Sequence, residues 1–207
     1  SASDGTNGCE LWILDQENTP LMLMDIHASG DSIPGRELGI HVVETERGQR
    51  FFFDADDGVH GRELWVSDGT STGTTMLGDM ESGDAIDWNS EITTWMNGVV
   101  FTTTGQQGNR MWWSNGSVTT SIWQAPWFSA SASSDLINQS AAITSIGQGL
   151  LHGDASGLWF AAKETQIGLE MMYLDNNGSL HMFDLQPFGD SSPYRGVSVD
   201  GGYVVIA

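Results

Sequence analysis

Short apolar stretches separated by turn-forming residues recur along the chain. Within residues 36–87, the stretches GIHVVETE, RFFFDA, RELWVSD and TTMLGDM alternate with ERGQ, DDGVHG and DGTSTG. The apolar stretches are too short for most helices, and Gly, Asp and Thr are the residues that tight connections need. The pattern therefore predicts four antiparallel strands at 39–46, 50–55, 62–68 and 74–80.

The third of these strands is repeated along the chain. GCELWILD at 8–15 and GRELWVSDGT at 61–70 are close copies, and GNRMWWSNGS at 108–117 and GLEMMYLDNNG at 168–178 are weaker ones. The leading glycines are Gly8, Gly61, Gly108 and Gly168, at spacings of 53, 47 and 60 residues. A unit that recurs four times at this spacing indicates a repeat architecture rather than an active-site signature.

The remaining stretches fit the same unit. The third unit supplies EITTWM, VVFTTT, RMWWSN and TTSIWQA, and the fourth supplies GLLHGDA, LWFAAKE, LEMMYLD and SLHMFDL. No long segment shows helical periodicity. We predict an all-β fold, a β-propeller of four blades with four antiparallel strands each. The chain is expected to form a single domain over 1–207, with units at about 1–35 joined by 191–207, 36–87, 88–140 and 141–190.

The two ends of the chain are expected to contribute to one unit. Residues 1–26 contain only two strand-like stretches, CELWILD and PLMLMDI, and the chain ends with YRGVSVDG and GYVVIA, which resemble the two missing strands. Either both termini complete this blade, or a neighbouring chain supplies the missing strands. A segment taken from a longer tandem array would show the same pattern.

The second unit carries the repeat in its fullest form. The matching residues are Asp57, Gly58, Gly61, Glu63, Leu64, Trp65, Asp68, Gly69, Thr70, Gly73, Thr74, Asp79 and Met80. This pattern resembles the extracellular ELW/DGT-repeat β-propeller family of hyalin-like surface repeat proteins. The resemblance implies a propeller fold and an extracellular or cell-surface location, with no defined reaction. The weaker copies depart from it, with Arg110 in place of Glu and Met172 in place of Trp.

Charge restricts the partners. The chain has 27 acidic and 7 basic residues, a formal net charge of −20. Such a surface repels phosphate backbones and anionic lipid, so nucleic acid is not an expected partner. No apolar run approaches the ~20 residues of a membrane span, so membrane insertion is not expected either.

Two groups of carboxylates are candidates for binding a cation. Asp54, Asp56 and Asp57 lie in FDADDGVHG and could hold Ca²⁺ through oxygen ligands, although an ordinary acidic turn is the favoured explanation. No cofactor is required by any motif. A second group recurs after the fourth strand as three pairs, Asp25 and Asp31, Asp79 and Asp84, and Asp184 and Asp190. Together these carboxylates could attract a cation, although Asp that caps a turn is the favoured explanation.

Aromatic residues and glycosylation sequons mark the candidate contact surfaces. Trp123, Trp127 and Phe128 occur in the irregular stretch 122–140, where they could stack on glycans or pack on the ring or on another subunit. Asn-x-Ser sequons at Asn115, Asn138 and Asn177 lie in predicted turns or loops, so an exported chain would be a glycoprotein.

The sequence favours a function without catalysis. The five histidines show no HxH or HExxH spacing, and GxSxG is not present. We expect a secreted or cell-surface binding and assembly module, a scaffold that presents loops for protein or glycan contacts. It could be a self-associating homo-oligomer or a subunit of a surface structure or filament. The alternatives are a glycan-binding lectin and, with less support, a glycoside-active enzyme.

Overall fold

Antiparallel strands joined by tight turns make up the computed structural model. It describes residues 1–105, 109–122, 143–164, 168–187, 189–199 and 202–206 of the chain. Within these ranges, no helix is long and apolar enough to cross a membrane.

The strands follow the predicted units. The first unit contains β1 (Ala2–Ser3), β2 (Cys9–Leu14) and β3 (Pro20–Met24), and the second contains β4 (Ile40–Thr45), β5 (Gly48–Asp56), β6 (Arg62–Ser67) and β7 (Thr75–Met76). The third contains β8 (Ile92–Trp95), β9 (Gly98–Thr103), β10 (Arg110–Ser114) and β11 (Thr119–Ser121). The fourth contains β12 (Ile143–Gly153), β13 (Gly157–Glu164), β14 (Gly168–Asp175) and β15 (Leu180–Phe183), and β16 (Arg195–Val199) and β17 (Gly202–Ile206) follow.

Neighbouring strands within a unit pair in chain order. The second, third and fourth units are each a four-stranded antiparallel sheet, and the first strands β4, β8, β12 and β16 contact one another in succession. This arrangement, with first strands innermost and sheets side by side, is that of propeller blades. The predicted all-β propeller fold is confirmed.

The fourth strands are shorter than the sequence predicts. The apolar stretch 74–80 forms a strand only over Thr75–Met76. Beyond it the chain turns at Gly78, whose φ of 155° breaks the strand geometry, and passes back over the start of β6. The fourth strand therefore leaves its sheet early, and the residues that follow it form a linker over one end of the unit.

The turn after each third strand is built in the same way. Its first residue is Asp15, Asp68, Asn115 or Asp175. In every unit the side-chain Oδ1 accepts the main-chain N–H two residues later, from Glu17 (2.8 Å), Thr70 (3.0 Å), Ser117 (3.0 Å) and Asn177 (2.9 Å). A short side chain that bonds its own backbone fixes a tight turn.

The core lies between the sheets. We call the sheet face that packs on the following unit the forward face, and the opposite one the backward face. In the second unit, Leu64 points forward and Trp65 backward, as alternation along a strand requires. The three clusters between successive units include Leu11, Leu23, Phe53 and Trp65, then Phe52, Val66, Val99 and Phe101, then Val100, Trp113, Phe160 and Met172.

The first unit is divided between two sheets. β1 pairs with β2 in the register Ala2 to Glu10 and Ser3 to Cys9, which matches the pairing of Ala55 with Glu63 and of Asp56 with Arg62. β16 and β17 pair only with each other among the described strands. Completion of this blade by both termini, or by a neighbouring chain, therefore stays a prediction.

Candidate functional site

The glutamate of the repeat binds the main chain of its own unit. Glu10 is buried, and its carboxylate accepts the Ile26 N–H (2.9 Å), the Ser32 N–H (3.1 Å) and the Ser32 hydroxyl (2.6 Å). Glu170 accepts the N–H groups of Leu185 (3.0 Å) and Ser191 (3.1 Å). These donors belong to the linker after the same unit's fourth strand, which bends back over the glutamate.

The recurring aspartates hold the start of the third strand. Asp31, Asp84 and Asp190 accept the main-chain N–H groups of Cys9 (2.7 Å), Arg62 (2.8 Å) and Leu169 (2.8 Å). Each of these donors follows a leading glycine of the repeat. The glycine is needed because the linker passes too close for a side chain: a Cβ on Gly61 would lie 2.6 Å from the carbonyl carbon of Gly83. These carboxylates are thus parts of the blade.

The structure separates the three aspartates of the candidate cation site. Asp54 is buried and forms an ion pair with Arg62, with 2.8 Å between Oδ2 and Nη1. Asp54 also accepts the Leu38 N–H at 2.9 Å, and the Arg62 guanidinium donates to the carbonyls of Ser32 (3.2 Å) and Ile33 (3.0 Å). This pair fastens the linker between the first two units to the second sheet.

Asp56 and Asp57 have different donors. Asp56 accepts the Gly58 N–H at 2.7 Å, and Asp57 accepts the N–H groups of Val59 (2.9 Å) and His60 (2.8 Å). Since each carboxylate faces its own partners, the three do not converge. Over the described ranges, no group of three or more His, Cys, Asp or Glu is arranged to hold a metal ion.

A cleft lies between the turn at 57–61 and the linker at 79–83. It has a volume of about 410 Å³ and is lined by Val59, His60, Asp79, Met80, Glu81, Ser82 and Gly83. Glu81 at its border forms an ion pair with Arg110 of the third unit, with 3.4 Å between Oε1 and Nη1. The cleft is the candidate site, because it joins a histidine whose side chain is 40% exposed to acidic side chains on the surface of a strongly acidic protein.

Asp57 and His60 form a hydrogen-bonded pair at this cleft, with 2.7 Å between Oδ2 and Nδ1. The hydrogen bond that His60 donates to Asp57 and the negative charge of Asp57 raise the pKa of His60, and the charge of Asp79 adds to the effect. Burial acts to raise the pKa of Asp57, but the hydrogen bonds from His60 and Val59 outweigh it and hold that pKa below its usual value. Each partner of the pair therefore favours the charged form of the other.

Glu63 lies beneath the linker that borders the cleft. Burial raises its pKa to about 8, and the charges of Asp79 and Glu81 act in the same direction, against the hydrogen bonds from the main chain of Met80 and Glu81. The Met80 N–H reaches Oε2 at 3.3 Å, whereas the buried Oε1 has no hydrogen-bond partner. The second unit has Ala85 where the first has Ser32, so the hydroxyl that Glu10 receives is missing.

The sequence did not indicate this cleft. His60 follows no metal-binding spacing, Asp79 belongs to the stretch 74–80 predicted as strand, and Glu81 directly follows that stretch. The only signal was the density of charged residues on both sides of the third strand. The contact residues predicted from the sequence, Trp123, Trp127 and Phe128, lie outside the described residues, as does Asn138.

The two other sequons lie in turns after third strands. Asn177 is exposed, so a glycosyltransferase could reach its side chain. The Asn115 side chain accepts the N–H groups of Ser117 (3.0 Å) and Val118 (2.9 Å), which holds its amide against the turn. Glycosylation at these positions remains a prediction, and Asn177 is the better placed of the two.

Comparison with known proteins gives structural similarity only. No family model matches the chain, and no curated protein matches it. The crystal structure of TolB from Acinetobacter baumannii is 13% identical, with a TM-score of 0.42 over 86% of this chain and 38% of TolB. The crystal structure of a puromycin hydrolase mutant complexed with PGG is 13% identical, with a TM-score of 0.32 over 92% of this chain and 35% of the hydrolase. The chain thus spans little more than a third of either protein, and no activity follows from the similarity.

Proposed function

We propose that the chain is a non-catalytic extracellular or cell-surface module whose propeller scaffold binds protein partners or further copies of itself. One observation carries the proposal: the polar residues that recur from unit to unit fasten each unit's linker to its own sheet. Glu10 and Glu170 bind linker N–H groups, and Asp31, Asp84 and Asp190 bind third strands. Groups engaged in this way maintain the fold and leave contact with partners to the surface.

The exposed apolar residues support a role in contacts. Leu14 is 64% exposed, Ile40 56%, Val42 57% and Ile206 49%. They lie on strands β2, β4 and β17, whose equivalents in a complete propeller face other strands. Sheet edges and faces of this kind pair with other chains when nothing covers them.

The solution mass of the purified chain tests this function. We expect the mass from sedimentation equilibrium to rise above the 22.4 kDa of one chain as concentration increases. The rise should be larger at high salt, because salt screens the repulsion between copies that each carry a charge of −20. A mass of one chain at every concentration, together with hydrolysis of peptide or glycoside substrates that His60→Gln abolishes, would contradict the proposal.

A glycan-binding function is the second candidate, and Trp88 favours it. Its indole is 82% exposed, in a turn fixed by the Asn89 N–H on Asp87 (2.8 Å) and by the Ser90 N–H on the Asp87 carbonyl (3.0 Å). A fixed, exposed ring beside carboxylate and amide groups could stack on a sugar face. Glycan-array binding that Trp88→Ala and Trp127→Ala each weaken would support this function, and binding unchanged by both would exclude these rings as its carriers.

A further inference from the structure

Among the described strands, only β1 pairs with the inner edge of strand β2, and it leaves most of that edge open. β1 covers only Cys9 and Glu10 of that edge, whereas the equivalent strand of the second unit, β6, is paired over its full length with β5. On its outer edge β2 is paired with β3 from Leu11 to Leu14. Residues 11–14 therefore present unpaired main-chain groups on one side, which is a template for another strand.

Two buried positions of the second unit are exposed in the first. Ala55 is fully buried, but its counterpart Ala2 is exposed. Val199 pairs with Gly202 as Thr45 pairs with Gly48, so Ile206 corresponds to Phe52 in the two hairpins. Phe52 is fully buried, whereas Ile206 is 49% exposed. The pieces of one blade are present, but their core positions face solvent.

The indole of Trp12 shows the same defect. In the second unit the Trp65 indole N–H donates to the Ala55 carbonyl at 3.2 Å. The corresponding N–H of Trp12 is buried and has no hydrogen-bond partner. A buried donor without a partner destabilises the fold. A strand that continued β1 along β2 would hold the Ala2 carbonyl in the position that the Ala55 carbonyl has in the second unit. The Trp12 indole N–H could then donate to it, as the Trp65 indole N–H donates to Ala55.

From these observations we infer that strand β17 of a second copy adds to the open edge of β2 and completes the first blade between two chains. The inference rests on the proposed assembly function and specifies its partner. The chain's own β17 pairs with β16, which contacts β12, and Ile206 stays exposed there. A second copy of the chain can supply the missing strand, because its β16–β17 hairpin has the same register as the β4–β5 hairpin of the second unit.

The register of the new pair follows from the second unit. Phe52 pairs with Val66 across β5 and β6. Ile206 corresponds to Phe52, and Ile13 corresponds to Val66 through the leading glycines Gly8 and Gly61. Ile206 of one chain therefore lies opposite Ile13 of the other, and directly opposed side chains have Cβ atoms about 5 Å apart. Because one end of each chain binds the other end of the next, the contact is head-to-tail.

Cross-linking between two different single-cysteine variants tests the inference. Cys9→Ser removes the native thiol from both, and Ile13→Cys and Ile206→Cys are introduced in separate chains. Mixed in equal amounts and treated with a short bifunctional thiol reagent, they should give a cross-linked heterodimer that neither variant forms alone. Leu14→Cys mixed with Ile206→Cys is the control, because Leu14 is exposed and points to the opposite face.

The outcomes separate this contact from assembly in general. Failure of the Ile13 and Ile206 mixture to cross-link above the Leu14 control overturns the inference. A double variant in one chain that cross-links only as a monomer overturns it too, since the chain then closes its own blade. If the mass still rises with concentration, the assembly function stands and uses another surface.

Discussion

The Ser32 hydroxyl donates a 2.6 Å hydrogen bond to the buried carboxylate of Glu10, and the second unit has no equivalent of this bond. Its glutamate is Glu63, and Ala85 takes the place of the serine. One carboxylate oxygen of Glu63 is buried without a partner. The two units therefore share a main-chain design but differ by one hydroxyl at a buried charge.

Ala85→Ser should restore that hydroxyl. We expect the free energy of unfolding to rise by about 1 kcal/mol, because a hydrogen bond to an ionised group stabilises more than it costs to bury the hydroxyl. Urea unfolding at a pH above 8 checks this, since Glu63 is ionised there. Ser32→Ala is the converse control and should lower the free energy of unfolding by about 1–3 kcal/mol. No gain from Ala85→Ser would mean that the linker holds residue 85 too far from Glu63.

Glu63 should also make stability depend on pH. Its pKa is 4.5 for an unperturbed side chain and about 8 in the fold. Below pH 4.5 Glu63 is protonated in both the folded and the unfolded chain, so its full contribution to the free energy of unfolding is present. As pH rises, the unfolded chain ionises first, and the contribution is lost by the time pH passes the folded pKa. The free energy of unfolding of the native chain, relative to Glu63→Gln, should therefore fall between these two pKa values.

Urea unfolding at a series of pH values measures this difference. Glu46→Gln, an exposed change, is the control and should show no such fall. A constant difference between the native chain and Glu63→Gln across the range would show that the fold does not perturb Glu63.

The repeat could be predicted from the sequence because its apolar alternation and turn residues are local signals. Leu64 and Trp65 point to opposite faces, as alternation along a strand requires, and Asp15 and Asp68 start the turns. The cleft and the pair of Asp54 with Arg62 could not be predicted. Both depend on where the linkers pass, and the linkers have no periodic pattern. Asp54 and Asp57 are close in sequence, but strand β5 ends between them, and each carboxylate accepts hydrogen bonds from different donors.

Gly61→Ala should be costly for two separable reasons. The φ of Gly61 is 86°, and a Cβ there would meet backbone atoms of Gly83 and Asp84 at 2.6 and 2.8 Å. Gly69 has a φ of 89° but nothing within 4 Å of its Cβ position. Gly69→Ala should therefore show only the left-handed backbone cost of about 1–2 kcal/mol. Gly61→Ala should lose clearly more stability in chemical unfolding, because the linker must also move. Equal losses would show that the linker gives way freely.

Removal of the Arg62 side chain should be among the most damaging changes. Arg62→Met leaves Asp54 as a buried charge and removes the donors to the Ser32 and Ile33 carbonyls, so we expect a loss of about 3–5 kcal/mol. Asp54 keeps the Leu38 N–H, which places the expected loss at the lower end of that range. Asp54→Asn in the same chain should recover part of the loss by removing the unpaired charge.

Arg110→Met is the matched control for this change. Arg110 pairs with Glu81 at 3.4 Å but is 44% exposed, so its loss should cost less than about 1 kcal/mol. Guanidinium chloride unfolding of the three variants and the native chain compares the two ion pairs. If Arg62→Met and Arg110→Met cost the same, the first linker would not depend on Arg62 for its attachment to the second blade. A recovery in the double variant would instead show that the buried charge, rather than lost packing, causes the damage.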